Sequence, residues 1–181
     1  GMWFPPYDRI DLIIEISHRY IALALSLVIL ALFIAAFRRR NEARVGGPGG
    51  VLRPAAIAGG LVVIAALLGA ITVKMALNPF VIATHLTIAM SLLATLAVAL
   101  SRAGGMGSDS SLIGTSPRVF RSARAAVALA LVTLIFGALT ANVPDAASSC
   151  GGFPWCQTVN SGGTPLAIQI THRILAFLLF G

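Results

Sequence analysis

Two of the three histidines of this chain lie inside one repeated motif. Ile14-Glu15-Ile16-Ser17-His18-Arg19 returns as Ile168-Gln169-Ile170-Thr171-His172-Arg173, a shift of 154 positions read from His18 and His172. His85 is the third, and all of them fall in apolar runs, where a charged group costs roughly 2.5–3.5 kcal/mol on insertion scales. Imidazoles brought in from facing helices suit axial ligation of a haem iron, one on each side of the ring. Zinc draws three or four ligands from His, Cys and carboxylate, and His18 with His85 and Glu15 nominally supplies three. The apolar setting and the small-residue spacings Ala65/Gly69, Ala66/Ala70 and Gly137/Ala141 favour a large flat cofactor instead. An interhelical hydrogen bond is the competing reading of any single membrane histidine. Three of them, with two in a repeat, favour ligation.

The neighbours of the histidines divide by type. Arg19 and Arg173 each follow a histidine and point about 100° round the helix from it. Near a membrane interface a guanidinium suits a haem propionate; snorkelling to lipid headgroups is the alternative. Glu15 lies one helical turn before His18, so the two share a face. Its counterpart in the second copy is Gln169. A titratable group in one copy and an amide in the other suggests that one site does chemistry while its relative holds a cofactor. The rival reading is a carboxylate bonded to a neighbouring helix or facing water. Cys150 and Cys156 enclose Gly-Gly-Phe-Pro-Trp in a loop and read as a disulfide in an oxidising compartment. The CxxCH pattern of covalent haem attachment is absent, so a haem here is held non-covalently.

These groups need elements to carry them, and the composition says which. The chain is 57% hydrophobic and 10% charged, against about 25% charged in soluble domains, so it belongs in a membrane. Five spans are expected: Leu12 to Phe37, Ala55 to Val73, Phe80 to Leu100, Ala125 to Val143, and one beginning at Pro165. Helices are the natural spanning element because lipid satisfies no backbone group. The fold class is therefore an all-α polytopic membrane bundle. Nine of the thirteen Lys and Arg residues sit at Arg38–Arg40, Arg44, Arg53, Arg102, Arg118, Arg121 and Arg124. They flank spans without interleaved aromatics, which argues against nucleic acid and for cytoplasmic loops by the positive-inside rule. Residues 41–53 and 101–124 then face the cytoplasm, and the cysteine loop faces outside. On that orientation each histidine lies about 8–10 Å below the outer end of its helix.

The repeat also divides the chain. Residues 1–100 form an N-terminal half with Glu15, His18 and His85, 101–124 a cytoplasmic loop, and 125–181 the start of a C-terminal half with His172. Gly69-Ala70-Ile71-Thr72 echoes Gly137-Ala138-Leu139-Thr140, as related helices of two halves would. Shifting each span by the repeat distance predicts a parent of about eight helices and four histidines, of which this chain holds helices two to six.

In order along the chain, Pro5-Pro6, Glu15-Ile16-Ser17-His18-Arg19, Leu68-Gly69-Ala70-Ile71-Thr72-Val73, Asn78-Pro79, His85, Cys150-Gly-Gly-Phe-Pro-Trp-Cys156 and Thr171-His172-Arg173 resemble the heme A synthase family. The resemblance covers nearly the whole chain. It implies an eight-helix protein of two similar halves that oxidises the C8 methyl of heme O to a formyl group, giving heme A for cytochrome oxidase. It implies His18 and His85 as the ligand pair for the substrate haem, Glu15 as the essential carboxylate, and His172 as one ligand of a heme b. The implied setting is the plasma membrane, with the haem side outside the cytoplasm. The implied partners are the haem substrate, membrane lipid, and heme O synthase or a cytochrome oxidase assembly factor. Two other functions use the same residues: a non-catalytic bis-histidine electron-transfer protein, and a structural subunit of a larger membrane complex.

Overall fold

The computed structural model describes residues 9–75, 77–104 and 116–180; Pro5-Pro6 and most of the loop after Arg102 lie outside them. The element order is α1 (Ile10–Arg38), α2 (Ala43–Gly46), α3 (Leu52–Lys74), α4 (Pro79–Arg102), α5 (Pro117–Asn142), β1 (Cys150–Gly151), β2 (Thr158–Val159) and α6 (Gly163–Phe180). Five of these helices are long and apolar enough to cross a membrane. The chain is an all-α multi-pass membrane protein, with one small antiparallel ladder that pairs Cys150 with Val159 and Gly151 with Thr158.

The helices are apolar on nearly every face. Large side chains such as Leu23, Val28, Leu67 and Leu93 are exposed, as expected where lipid is the solvent. The buried positions are mostly small: Ala36, Ala55, Ala58, Ala65, Ala83, Ala99 and Ala138. Small side chains let backbones approach and gain packing where the hydrophobic effect offers no drive between helices. Hydroxyls within the spans bond to the carbonyl one turn back, as in Thr72 to Leu68, Thr87 to Ala83, Thr133 to Leu129 and Thr140 to Phe136. None of these is left bare to hydrocarbon.

The chain divides into two compact units, residues 1–62 with 95–106 and residues 63–94 with 107–181. In the second unit, the turn from α3 to α4 is short. Leu77 takes a left-handed φ of 61°, and the Asn78 side chain accepts from the Phe80 N–H at 3.0 Å, capping α4 ahead of Pro79. Asn before Pro is a helix-start signal.

α5 begins at Pro117, inside the segment expected to be loop. Ser116 accepts from the Val119 N–H at 3.4 Å and Pro117 occupies the first turn. A Ser-Pro start nucleates helix whatever follows, and arginine is a good helix former. Arg118, Arg121 and Arg124 therefore ride on the helix, and Arg102 closes α4 rather than opening a loop.

Candidate functional site

Measured along their own helices, only His85 falls within the expected depth of about 8–10 Å, and His18 and His172 lie deeper because α1 and α6 begin earlier than the apolar runs. From the starts of α1, α4 and α6 to His18, His85 and His172 is about 12, 9 and 14 Å at 1.5 Å per residue. The surroundings differ.

His172 is half-buried in the α5–α6 pair. Its Nδ1 lies 3.1 Å from the Thr133 carbonyl of α5. A carbonyl only accepts, so Nδ1 carries the proton and, in the neutral ring, Nε2 holds the lone pair. That is the arrangement in which a metal-ligating histidine is held by its outer nitrogen. The imidazole lies over Gly137, where a Cβ would come within 2.9 Å of Cε1. Only glycine leaves the ring its place. His85 repeats the theme more loosely on α3 and α4: a Cβ on Gly69 would stand 3.5 Å from its Cε1, an ordinary contact. Its Nδ1 is buried and has no hydrogen-bond partner among the described residues. The sequence echo Gly69-Ala70-Ile71-Thr72 and Gly137-Ala138-Leu139-Thr140 thus has a physical meaning. In each copy the leading glycine receives a histidine from the next helix.

His18 is exposed on α1. Glu15, one turn before it, forms an ion pair with Arg19. The spacing of four with the acid N-terminal is the favourable helical order, so this pair was readable in the sequence and was missed there. Arg19 is thus committed to Glu15, and the pair shares an exposed face with His18.

In the second copy the same positions serve the cysteine loop. Gln169 is 5% exposed. Its Oε1 accepts from the fully buried Ser149 hydroxyl at 2.7 Å, and its Nε2 donates to the Ala147 carbonyl at 2.9 Å and the Cys150 carbonyl at 3.3 Å. Arg173 donates from Nη1 to the Gly152 carbonyl at 2.8 Å and from Nη2 to the Cys150 carbonyl at 3.0 Å. One helical turn further on, Phe177 meets the rings of Phe153 and Trp155, each with centroids 6.0 Å away. Gln169, Arg173 and Phe177 recur at every fourth residue and make one stripe of α6. Cys150 and Cys156 are joined in a disulfide, and the loop they close lies down this stripe rather than over the helix ends. Ser149 and Thr133 have no role in the sequence analysis, and Gly137 enters it only through its small-residue spacing and the glycine echo. A serine next to a loop cysteine carries no signal by itself.

Among the described residues no group of three or more His, Cys, Asp or Glu side chains converges on a metal-sized site. The histidines offer single imidazoles, the donor set of an axially ligated macrocycle. Its fit to this chain is best at His172, where the tautomer is fixed and glycine makes room.

The family model of the cytochrome oxidase assembly protein, COX15-CtaA, matches residues 8–181. The chain belongs to that family. No curated protein and no solved structure matches it at a significant level. Membership in COX15-CtaA ties the chain to cytochrome oxidase assembly and to haem-related chemistry in a membrane, and the match runs through both copies of the motif.

Proposed function

We propose that the chain acts as a heme A synthase-type oxidoreductase, oxidising the C8 methyl of the substrate heme O to a formyl group to give heme A. The observation that carries this reading is the exchange of Glu15 for Gln169 at equivalent places of the repeat. The carboxylate stands on an exposed face beside His18, whereas the amide is consumed by loop carbonyls. Family membership, in cytochrome oxidase assembly, supports this reading. When water supplies the oxygen and an external acceptor takes the electrons, conversion of a methyl to a formyl releases protons, and a positioned carboxylate is suited to take them up.

In this reading His18 and His85 would be ligands for the substrate haem, and His172 would be a ligand for a heme b. A bound heme b supplies a one-electron redox centre. The Thr133 carbonyl keeps the His172 Nε2 lone pair free, and Gly137 admits the ring. Arg19 fixes where the Glu15 carboxylate sits on the α1 face. Arg173 keeps further N–H groups for a propionate, since a guanidinium has five donors and the loop uses two. The arginine-bearing ends face the cytoplasm and the disulfide loop faces outside, in a plasma membrane. Heme O synthase or a cytochrome oxidase assembly factor is the proposed partner.

Haem extraction and chromatography on the purified protein test the proposal. Glu15→Gln should retain its haem complement and accumulate heme O, with conversion down at least about 100-fold. Full conversion by Glu15→Gln would remove the carboxylate from the mechanism. Heme B as the sole extracted haem of the unaltered protein would point to electron transfer instead.

A further inference from the structure

Away from the histidines, the first unit contains a cleft of about 290 Å³ lined by Arg53, Pro54 and Ile57 of α3 and Thr95, Val98 and Arg102 of α4. Its charge is of one sign. Arg102 donates from Nη1 to the Gly50 carbonyl at 3.2 Å, which holds the guanidinium in place without neutralising it. Among the described residues Arg53 has no hydrogen-bond or ion-pair partner. Among the described residues no carboxylate lines the cleft, and Glu42, in the loop between α1 and α3, is taken by Arg39 at 2.8 Å. Two guanidiniums converging from two helix ends are suited to a phosphate, which they can grip through several N–H groups.

The walls say which phosphate. Ile57 lies one turn into α3 from Arg53, and Val98 one turn back along α4 from Arg102. Both are exposed, at 56% and 44%. The cleft therefore has a cationic rim and apolar sides that continue down the two spans. A free phosphate has no use for those sides, whereas a phospholipid fills both parts at once. We infer that the cleft between Arg53 and Arg102 binds the phosphodiester headgroup of an anionic phospholipid, with its acyl chains along Ile57 and Val98. Basic pockets between membrane helices recognise such headgroups by the same physics.

Native mass spectrometry of the full chain, exchanged into micelles containing phosphatidylglycerol or phosphatidylcholine, tests this. The unaltered protein should retain phosphatidylglycerol in preference to phosphatidylcholine. Arg53→Gln, which removes no contact the fold uses, should lower that retention about five-fold, and Arg53→Gln with Arg102→Gln should abolish the preference. Arg38→Gln with Arg44→Gln, an equal loss of charge outside the cleft, should keep it. Unchanged retention in Arg53→Gln, or equal loss in the Arg38/Arg44 control, would overturn the site. Stabilisation of the protein by inorganic phosphate equal to that by phosphatidylglycerol, and lost in Arg53→Gln, would overturn the lipid assignment in favour of a free anion.

Discussion

In α1 the acid and the arginine of the repeated motif turn towards each other on an exposed face. In α6 the amide and the arginine at the same positions turn to the cysteine loop and make five hydrogen bonds to four of its groups. The histidine between them keeps its spacing in both. The difference lies in what the loop asks of residue 169: a donor facing two carbonyls and an acceptor facing Ser149. An amide meets both demands. A carboxylate would set its oxygens against the carbonyls of Ala147 and Cys150. The amide is therefore required by packing in the second copy, and the carboxylate is free for other work in the first.

The largest expected effect tests that requirement. Gln169→Glu should destabilise the protein by about 3 kcal/mol or more, because it buries a charge against acceptors. The reciprocal Glu15→Gln should change stability by less than about 1 kcal/mol, the range of exposed ion pairs. Thermal unfolding of the two variants in the same detergent measures both, and similar shifts would end the distinction. A smaller effect sharpens the histidine comparison. Gly137→Ala should cost about 1–3 kcal/mol through overpacking and should disturb ligation by His172, seen as an altered haem absorption band. Gly69→Ala should leave the His85 contact intact and gain up to about 1 kcal/mol of helix propensity. If the Gly69 variant proves the more damaging, the looser fit at His85 is mistaken. The smallest effect separates the arginines: Arg173→Ala should loosen the loop and cost about 1 kcal/mol, whereas Arg19→Ala, at an exposed ion pair, should cost about half that or less.

Much of this arrangement was legible beforehand because its signals are local. Long apolar runs announced the five spans, the paired motif announced the histidines, and the close Cys150–Cys156 spacing announced the disulfide that the structure contains. Helix starts were misplaced where capping outweighed polarity: the arginines before Ala125 read as loop, yet Ser116-Pro117 starts the helix ahead of them. The anchoring of the loop was not legible. Its acceptors are backbone carbonyls, which every residue possesses, and only the fold decides which of them meet Gln169 and Arg173. The glycine echo lay between these cases. Its four residues were visible, but its purpose appeared only once His85 and His172 were seen resting on Gly69 and Gly137.

The early start of α5 has a mechanical consequence. Its 26 residues span about 39 Å, longer than the roughly 30 Å of hydrocarbon in a bilayer. Arg118, Arg121 and Arg124 occupy the surplus, and hydrocarbon resists their entry. The arginine end therefore anchors the helix at the interface, and that anchor together with packing against α6 sets its position and tilt. Because Thr133 and Gly137 seat His172 on this same helix, the height of that imidazole is gauged from the arginine end.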